Sequence, residues 1–234
     1  MRRERRVPAV ARATLAAVSV GALVVFCAAW PGTARAGAQA EEALASEVQT
    51  LLHRAVSDYP APRLVFASDV EGWAWLADMS SRLAAKIPDA STRRDFLVTV
   101  QYEASRAGLD PQLVLALIQH ESNFRKYAVS SASARGYMQV MPFWVKLIGN
   151  PDQDLFNLRT NLRYGCTILR FYLDRESGDL YRALGRYNGS LGQPDYPNAV
   201  LGAWRRYWTW NPASSAGGGA LEAARFGART DGAR

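Results

Sequence analysis

The chain is 234 residues long, room for one well-packed domain with extensions but not for two full domains. Its 49% apolar content, with seven Trp and ten Tyr, supplies a real core. The formal charge of +7 suggests a nucleic-acid partner until it is located: residues 1–40 hold six Arg and one Glu, leaving 22 basic against 20 acidic residues. No basic stripe with interleaved aromatics remains to grip phosphates, so nucleic acid is excluded.

In chain order, Arg2, Arg3, Arg5 and Arg6 make a cationic start, and Ala13 to Trp30 carries no charge. Ala-x-Ala triplets then end at Ala36, Ala38 and Ala40. This pattern predicts a signal peptide over 1–40 and an exported protein of the periplasm or cell envelope. An uncleaved stretch of this length sits at the lower limit of a membrane span and would give an anchored form instead. Cys27 follows Phe26 where lipidation wants a small residue, and the paired Arg lack the rest of a twin-arginine motif. Cleavage leaves Cys166 as the lone cysteine, inside an apolar helical pattern that marks it as a core residue. With two His in all, no zinc-binding set can be assembled.

Past the signal the expected class is predominantly all-α. A helical N-terminal extension spans 41–92, carrying Leu44, Val48, Leu51, Leu52 and Val56 at helical spacing. After a loop over 58–67, Ser68 and Glu71 make a capping box before Trp73, Leu76, Met79 and Leu83, and Pro88 closes that helix. The extension either packs on the main domain or forms a separate module. The domain itself is expected over 93–210. Ser91 can cap a helix with Phe96, Leu97, Val100 and Ala104, ended by Gly108. Asp110 and Pro111 supply an N-cap and first-turn proline for a short, strongly apolar helix. Further helices are predicted over 142–149, 158–176, 180–187 and 198–208, with a very short β element near 130–140. Residues 211–234, rich in Ala, Gly and Ser, bury too little to order themselves and are expected to be disordered.

Glu121 is the informative residue. Val114, Leu117 and Ile118 define an apolar face, and Glu121 falls at the next step of the same series. It also ends its helix, where the dipole disfavours a negative charge. Burial and dipole both raise a carboxyl pKa toward the range of a general acid. A helix-terminal Glu that turns to solvent fits the same local pattern. A loop of small side chains follows, Ala128 to Ala134, then Gly136-Tyr137-Met138-Gln139-Val140-Met141-Pro142. Later, Tyr187-Asn188-Gly189-Ser190 ends a helix and is expected to expose an aromatic ring beside an amide.

Together these elements resemble the soluble lytic transglycosylases, the goose-type-lysozyme-like branch of the lysozyme superfamily. The resemblance rests on Glu121-Ser122-Asn123-Phe124, Ser130 and Ser133-Ala134-Arg135-Gly136-Tyr137-Met138-Gln139-Val140-Met141-Pro142. It continues through Asn161, Gly165 and Leu169, through Ala183 to Gly189, and through Tyr196-Pro197 with Val200. It covers roughly residues 94–208, in ordered blocks with compatible spacing. Ser133 stands where the family usually has Gly, and Tyr137 where Leu is commoner.

The resemblance implies a lysozyme-like domain in which Glu121 is the catalytic acid/base and Ser130 a hydrogen-bonding neighbour. Gln139 and Met141 would line the sugar cleft, with Tyr187 and Asn188 facing it. It implies peptidoglycan glycan strands as substrate; no cofactor and no metal are expected, and the chain is expected to be a monomer, with any envelope-machinery partner unknown. The implied reaction cleaves the β-1,4 bond between N-acetylmuramic acid and N-acetylglucosamine and leaves 1,6-anhydro ends. The residues agree with a lone carboxylate: no other acid lies between Glu121 and Pro142, and the next is Asp152. A hydrolytic muramidase on the same fold would need a second carboxylate, from Asp152, Asp154, Asp179 or Asp195. A non-catalytic glycan-binding scaffold of the envelope is the alternative from another class.

Overall fold

The computed structural model describes residue 39, residues 41–57 and residues 60–211. The predicted signal peptide and C-terminal tail therefore lie outside the described residues, apart from Gln39 and Asn211. Among the described residues there are eight α-helices: α1 (Ser46–Ser57), α2 (Asp69–Leu83), α3 (Ala90–Arg106), α4 (Pro111–Glu121), α5 (Pro142–Ile148), α6 (Leu158–Arg175), α7 (Leu180–Asn188) and α8 (Asp195–Ala203). A π-helical turn, Trp204–Trp208, continues α8. No strand is formed among them. The β element expected near 130–140 is two isolated antiparallel bridges, Val129 with Arg135 and Arg135 with Val140.

Local chemistry sets the helix starts. Ser68 Oγ accepts the Glu71 N–H at 3.2 Å, and Asp110 Oδ1 accepts that of Gln112 at 2.7 Å ahead of Pro111. At α3 the cap is Asp89 rather than Ser91. The Asp89 carboxylate accepts from Thr92 N at 2.7 Å and from the Ser91 hydroxyl at 2.9 Å, so Ser91 sits in the first turn as a donor. Those hydrogen bonds hold the Asp89 carboxyl down at about 2. The last helix begins at Asp195, three residues before the predicted start, because Pro197 fits a first turn, where no N–H is required.

The core is built around α4. Leu113, Val114, Leu115, Ala116, Leu117 and Ile118 are all buried, so the helix is enclosed on every side rather than along one face. It lies against α3, α8 and the π-helical turn. Leu52 and Val56 of α1, and Trp75, Leu76, Met79 and Leu83 of α2, belong to the same hydrophobic core. The extension thus packs on the domain, α1 against α5 and α6, α2 against α3.

A buried ion cluster joins α3 to α6. Glu103 is fully buried, and its carboxylate receives Arg163 Nη2 at 2.9 Å and Arg106 Nε at 3.0 Å. Arg159 stands at 3.6 Å. Nothing local in the sequence marks the link to α6, because Arg163 lies 60 residues from Glu103.

Candidate active site

Two positions let the loop between α4 and α5 close on α6. Gly136 has φ +75, and a Cβ there would lie 2.5 Å from Asn161 Nδ2. A Cβ on Gly165 would lie 2.3 Å from Met138 Sδ, so only glycine allows α6 to meet the loop. Buried Asn161 then staples the loop: its Oδ1 accepts Met138 N at 2.8 Å, and its Nδ2 donates to Arg135 O and Leu155 O. Ser133 adopts φ +69, the left-handed region in which a glycine is unstrained. That is a physical reason for the glycine the resembling family carries at this point.

Glu121 is the last residue of α4 and is 5% exposed. Directly after it Asn123 and Phe124 both take positive φ, reversing the chain. Phe124 is buried against Phe96 and Trp208, which fixes the end of α4 and the direction of its carboxyl. Trp208 Nε1 also donates to Gln119 Oε1 at 2.8 Å, clamping the π-helical turn onto the same helix. Glu121 Oε1 accepts the Tyr196 hydroxyl at 2.5 Å, while Oε2 is buried without a hydrogen-bond partner. Burial raises the Glu121 carboxyl to about 8, and the Tyr196 hydrogen bond offsets part of that rise. A carboxyl raised this far holds its proton at neutral pH, and here one of its oxygens is left unsatisfied. Neither of these causes is a neighbouring acid.

The other residues named from sequence fall at different depths. Ser130 is half-buried, and its Oγ accepts N–H groups from Ala132 at 3.2 Å and Ala134 at 3.1 Å, shaping the small-residue loop. Gln139, at φ +49, is buried and spends its amide nitrogen on Ala128 O and Gly136 O, so its visible task is to brace that loop. Met141 is half-buried at the start of α5 and packs on the core. Tyr187 corrects the expectation of an exposed ring. It is wholly buried because Ala183, Leu184 and Tyr187 share the core face of α7, and its hydroxyl donates to Met138 O at 2.7 Å. It still belongs to the Glu121 surroundings: burial, then the Glu121 charge, push its phenol well above the usual range. Asn188 is buried beside it at the end of α7, where Gly189 at φ +78 stops the helix. Cys166 is buried 4.0 Å from Met138 Sδ, and burial raises its thiol far above the range of a nucleophile.

Two residues were not picked out from sequence. Tyr196, the direct partner of the acid, stood inside a matched block without an assigned role. Gln39, inside the predicted signal segment, is buried and accepts Trp144 Nε1 at 2.9 Å. The four aspartates considered as a second carboxylate are surface residues with other work: Asp179 caps α7, and Asp154 Oδ1 accepts Phe156 N at 2.8 Å. Asp152 and Asp195 are exposed.

The Tyr196–Glu121 pair makes a direct prediction. Tyr196→Phe removes the one donor that favours the charged carboxylate, so the Glu121 pKa rises further. Turnover should fall by about 100-fold, the lower end of what loss of one positioned hydrogen-bond donor costs in catalysis. The alkaline limb of the pH–rate profile should move up. An unmoved limb would show that Tyr196 does not act through Glu121.

Residues 99–197 match the family model described as the transglycosylase SLT domain. Among curated proteins, the transglycosylase of Enterobacteria phage PRD1 is 33% identical over 110 residues, covering 44% of this chain and 40% of the phage protein. Membrane-bound lytic murein transglycosylase C of Histophilus somni is 37% identical over 113 residues, covering 42% of this chain and 31% of that protein. The protein of the same name from Yersinia pestis is 33% identical over 113 residues. The chain thus spans well under half the length of these relatives. No solved structure matches it significantly.

Proposed function

We propose that the chain, whose residues 99–197 match the transglycosylase SLT domain, is a peptidoglycan lytic transglycosylase with Glu121 as its acid/base. The observation that carries the reading is a single protonated carboxyl, raised to about 8 by burial, held by Tyr196 and with one oxygen unsatisfied.

Glycosidases that use water or a protein nucleophile need two carboxylates. Only burial and Tyr196 perturb Glu121, which suits an intramolecular route. Glu121 donates its proton to the oxygen between N-acetylmuramic acid and N-acetylglucosamine as the C1–O bond breaks. The substrate's acetamido carbonyl stabilises the developing cation. Glu121, now a carboxylate, takes the proton of the muramic 6-hydroxyl as O6 bonds to C1. The proton count closes, no water is consumed, and the product carries a 1,6-anhydro ring. Tethering the nucleophile to the reacting sugar supplies a large proximity advantage.

The first test is release of soluble muropeptides from purified peptidoglycan. Release by the parent chain and none by Glu121→Gln supports an enzyme; binding without release by the parent would make the protein a scaffold.

The enzyme is proposed to work outside the cytoplasm, exported by residues 1–40. Among the described residues no helix is long and apolar enough to cross a membrane. Of the three Ala-x-Ala sites, cleavage after Ala36 or Ala38 keeps Gln39, whereas cleavage after Ala40 strips Trp144 Nε1 of its buried acceptor. N-terminal sequencing of protein from its native host should therefore read from Gly37 or Gln39. A start at Glu41, or at Met1 in the membrane fraction, would contradict this.

A further inference from the structure

Beside the candidate site runs a surface ladder of cations and aromatic rings that the catalytic chemistry does not use. Lys126 Nζ lies 5.1 Å from the Tyr127 ring centroid, Tyr127 lies 5.8 Å from Phe156, and Arg135 Cζ stands 5.9 Å from Phe156. Tyr127 is 70% exposed and Val129, two residues on, is 60% exposed, although the hydrophobic effect favours burying both. The intervening Ala128 points inward. Lys126 and Arg135 have no ion-pair partner among the described residues. Exposed Arg125 adds a third cation, its Nε bonded to Ser122 O. Asp154 sits close in sequence, but its carboxylate caps Phe156 N.

The ladder is continuous with the site. Ala128 O receives both Gln139 Nε2 and Gly136 N, and Arg135 pairs through its backbone with Val140. Any ligand held on Tyr127 and Arg135 therefore rests on the same braced loop that carries Ser130 and Gln139. The two rings are tilted at 51° to each other and leave apolar area at the surface with little entropy to lose, and guanidinium and ammonium groups beside them bind carboxylates.

We propose that Lys126, Tyr127, Phe156 and Arg135 form a subsite for the carboxylate-bearing peptides attached to the muramic acid residues of the glycan strand. This rests on peptidoglycan being the substrate. The cations take the peptide carboxylates and the rings take the peptide's apolar side chains, so strands bearing peptides are held in preference to bare ones.

The test uses the full chain carrying Glu121→Gln, so that strands stay uncut, and measures co-sedimentation with purified peptidoglycan. One arm uses intact material and the other material whose peptides have been removed by an amidase. The parent should bind intact strands more tightly, and salt should erode the difference. Lys126→Glu with Arg135→Glu should weaken binding to intact strands by about 10-fold or more and abolish the preference. Tyr127→Ala should weaken it several-fold. A control pair, Arg54→Glu with Lys86→Glu, makes the same net charge change away from the ladder and should preserve the preference. Equal binding to both materials by the parent, or the same loss in the control pair, would overturn the proposal. Because catalysis is read separately from muropeptide release by the active chain, failure of this subsite and failure of the transglycosylase reading are distinguishable.

Discussion

Glu121→Gln should lower glycan cleavage by about 100–10,000-fold, the range supplied by a positioned acid/base, while leaving the protein at least as stable. Gln fills the same volume but carries no titratable proton. The sign of the stability change follows from the raised pKa. An unfolded Glu titrates near 4.5, and folded Glu121 near 8. Below about pH 4.5 both states bind the proton and the carboxyl adds nothing unfavourable. As pH rises from there to about 8 the unfolded state gives up its proton while the folded state keeps it, so folding becomes steadily less favourable. The variant lacks this decline, so its thermal midpoint should exceed the parent's at pH 8 by more than at pH 5. In the parent, activity should fall as pH rises through about 8, because the acid form disappears. Full activity in the variant would remove Glu121 from the mechanism, and a collapse in its midpoint would make it a structural residue.

The second large effect lies away from the chemistry. Glu103→Ala leaves Arg163, 2% exposed, buried without its carboxylate, and breaking such a pair costs about 3–5 kcal/mol. For a domain of this size that corresponds to a fall of about 10 °C in midpoint. The remaining folded fraction should retain normal turnover, since Glu103 is tied to α6 and its arginines rather than to Glu121. Replacing both partners, with Glu103→Leu and Arg163→Met, should recover most of the loss. A fall of less than about 2 °C in Glu103→Ala would mean that water reaches the cluster and that it does not hold α3 to α6.

These two acids show what can be read from a single sequence. Glu121 was legible because a helical series of apolar residues ends on it, and periodicity is a local signal. Asp110 with Pro111, and Ser68 with Glu71, were legible for the same reason, since caps are set within three residues. Glu103 was not, because its burial depends on an arginine 60 positions away. Tyr187 was expected to be exposed from its place at a helix end, but the turn of α7 carries it to the core face with Ala183 and Leu184. Ser91 lost the cap to Asp89 because a carboxylate accepts more strongly than a hydroxyl at a helix N-terminus. Tyr196 reaches the acid across 75 residues, and only the fold shows the hydrogen bond.

If one buried carboxyl cleaves the strand without water, the ends of the released fragments record it. Muropeptides released from purified peptidoglycan in 18O-labelled water should be analysed by mass before and after borohydride reduction. Muramic ends should be one water lighter than hydrolytic ends, free of label and resistant to reduction, because C1 is locked in the second ring. Reducible, label-bearing ends would contradict it: the enzyme would be a hydrolase, with a second carboxylate brought to Glu121 on binding.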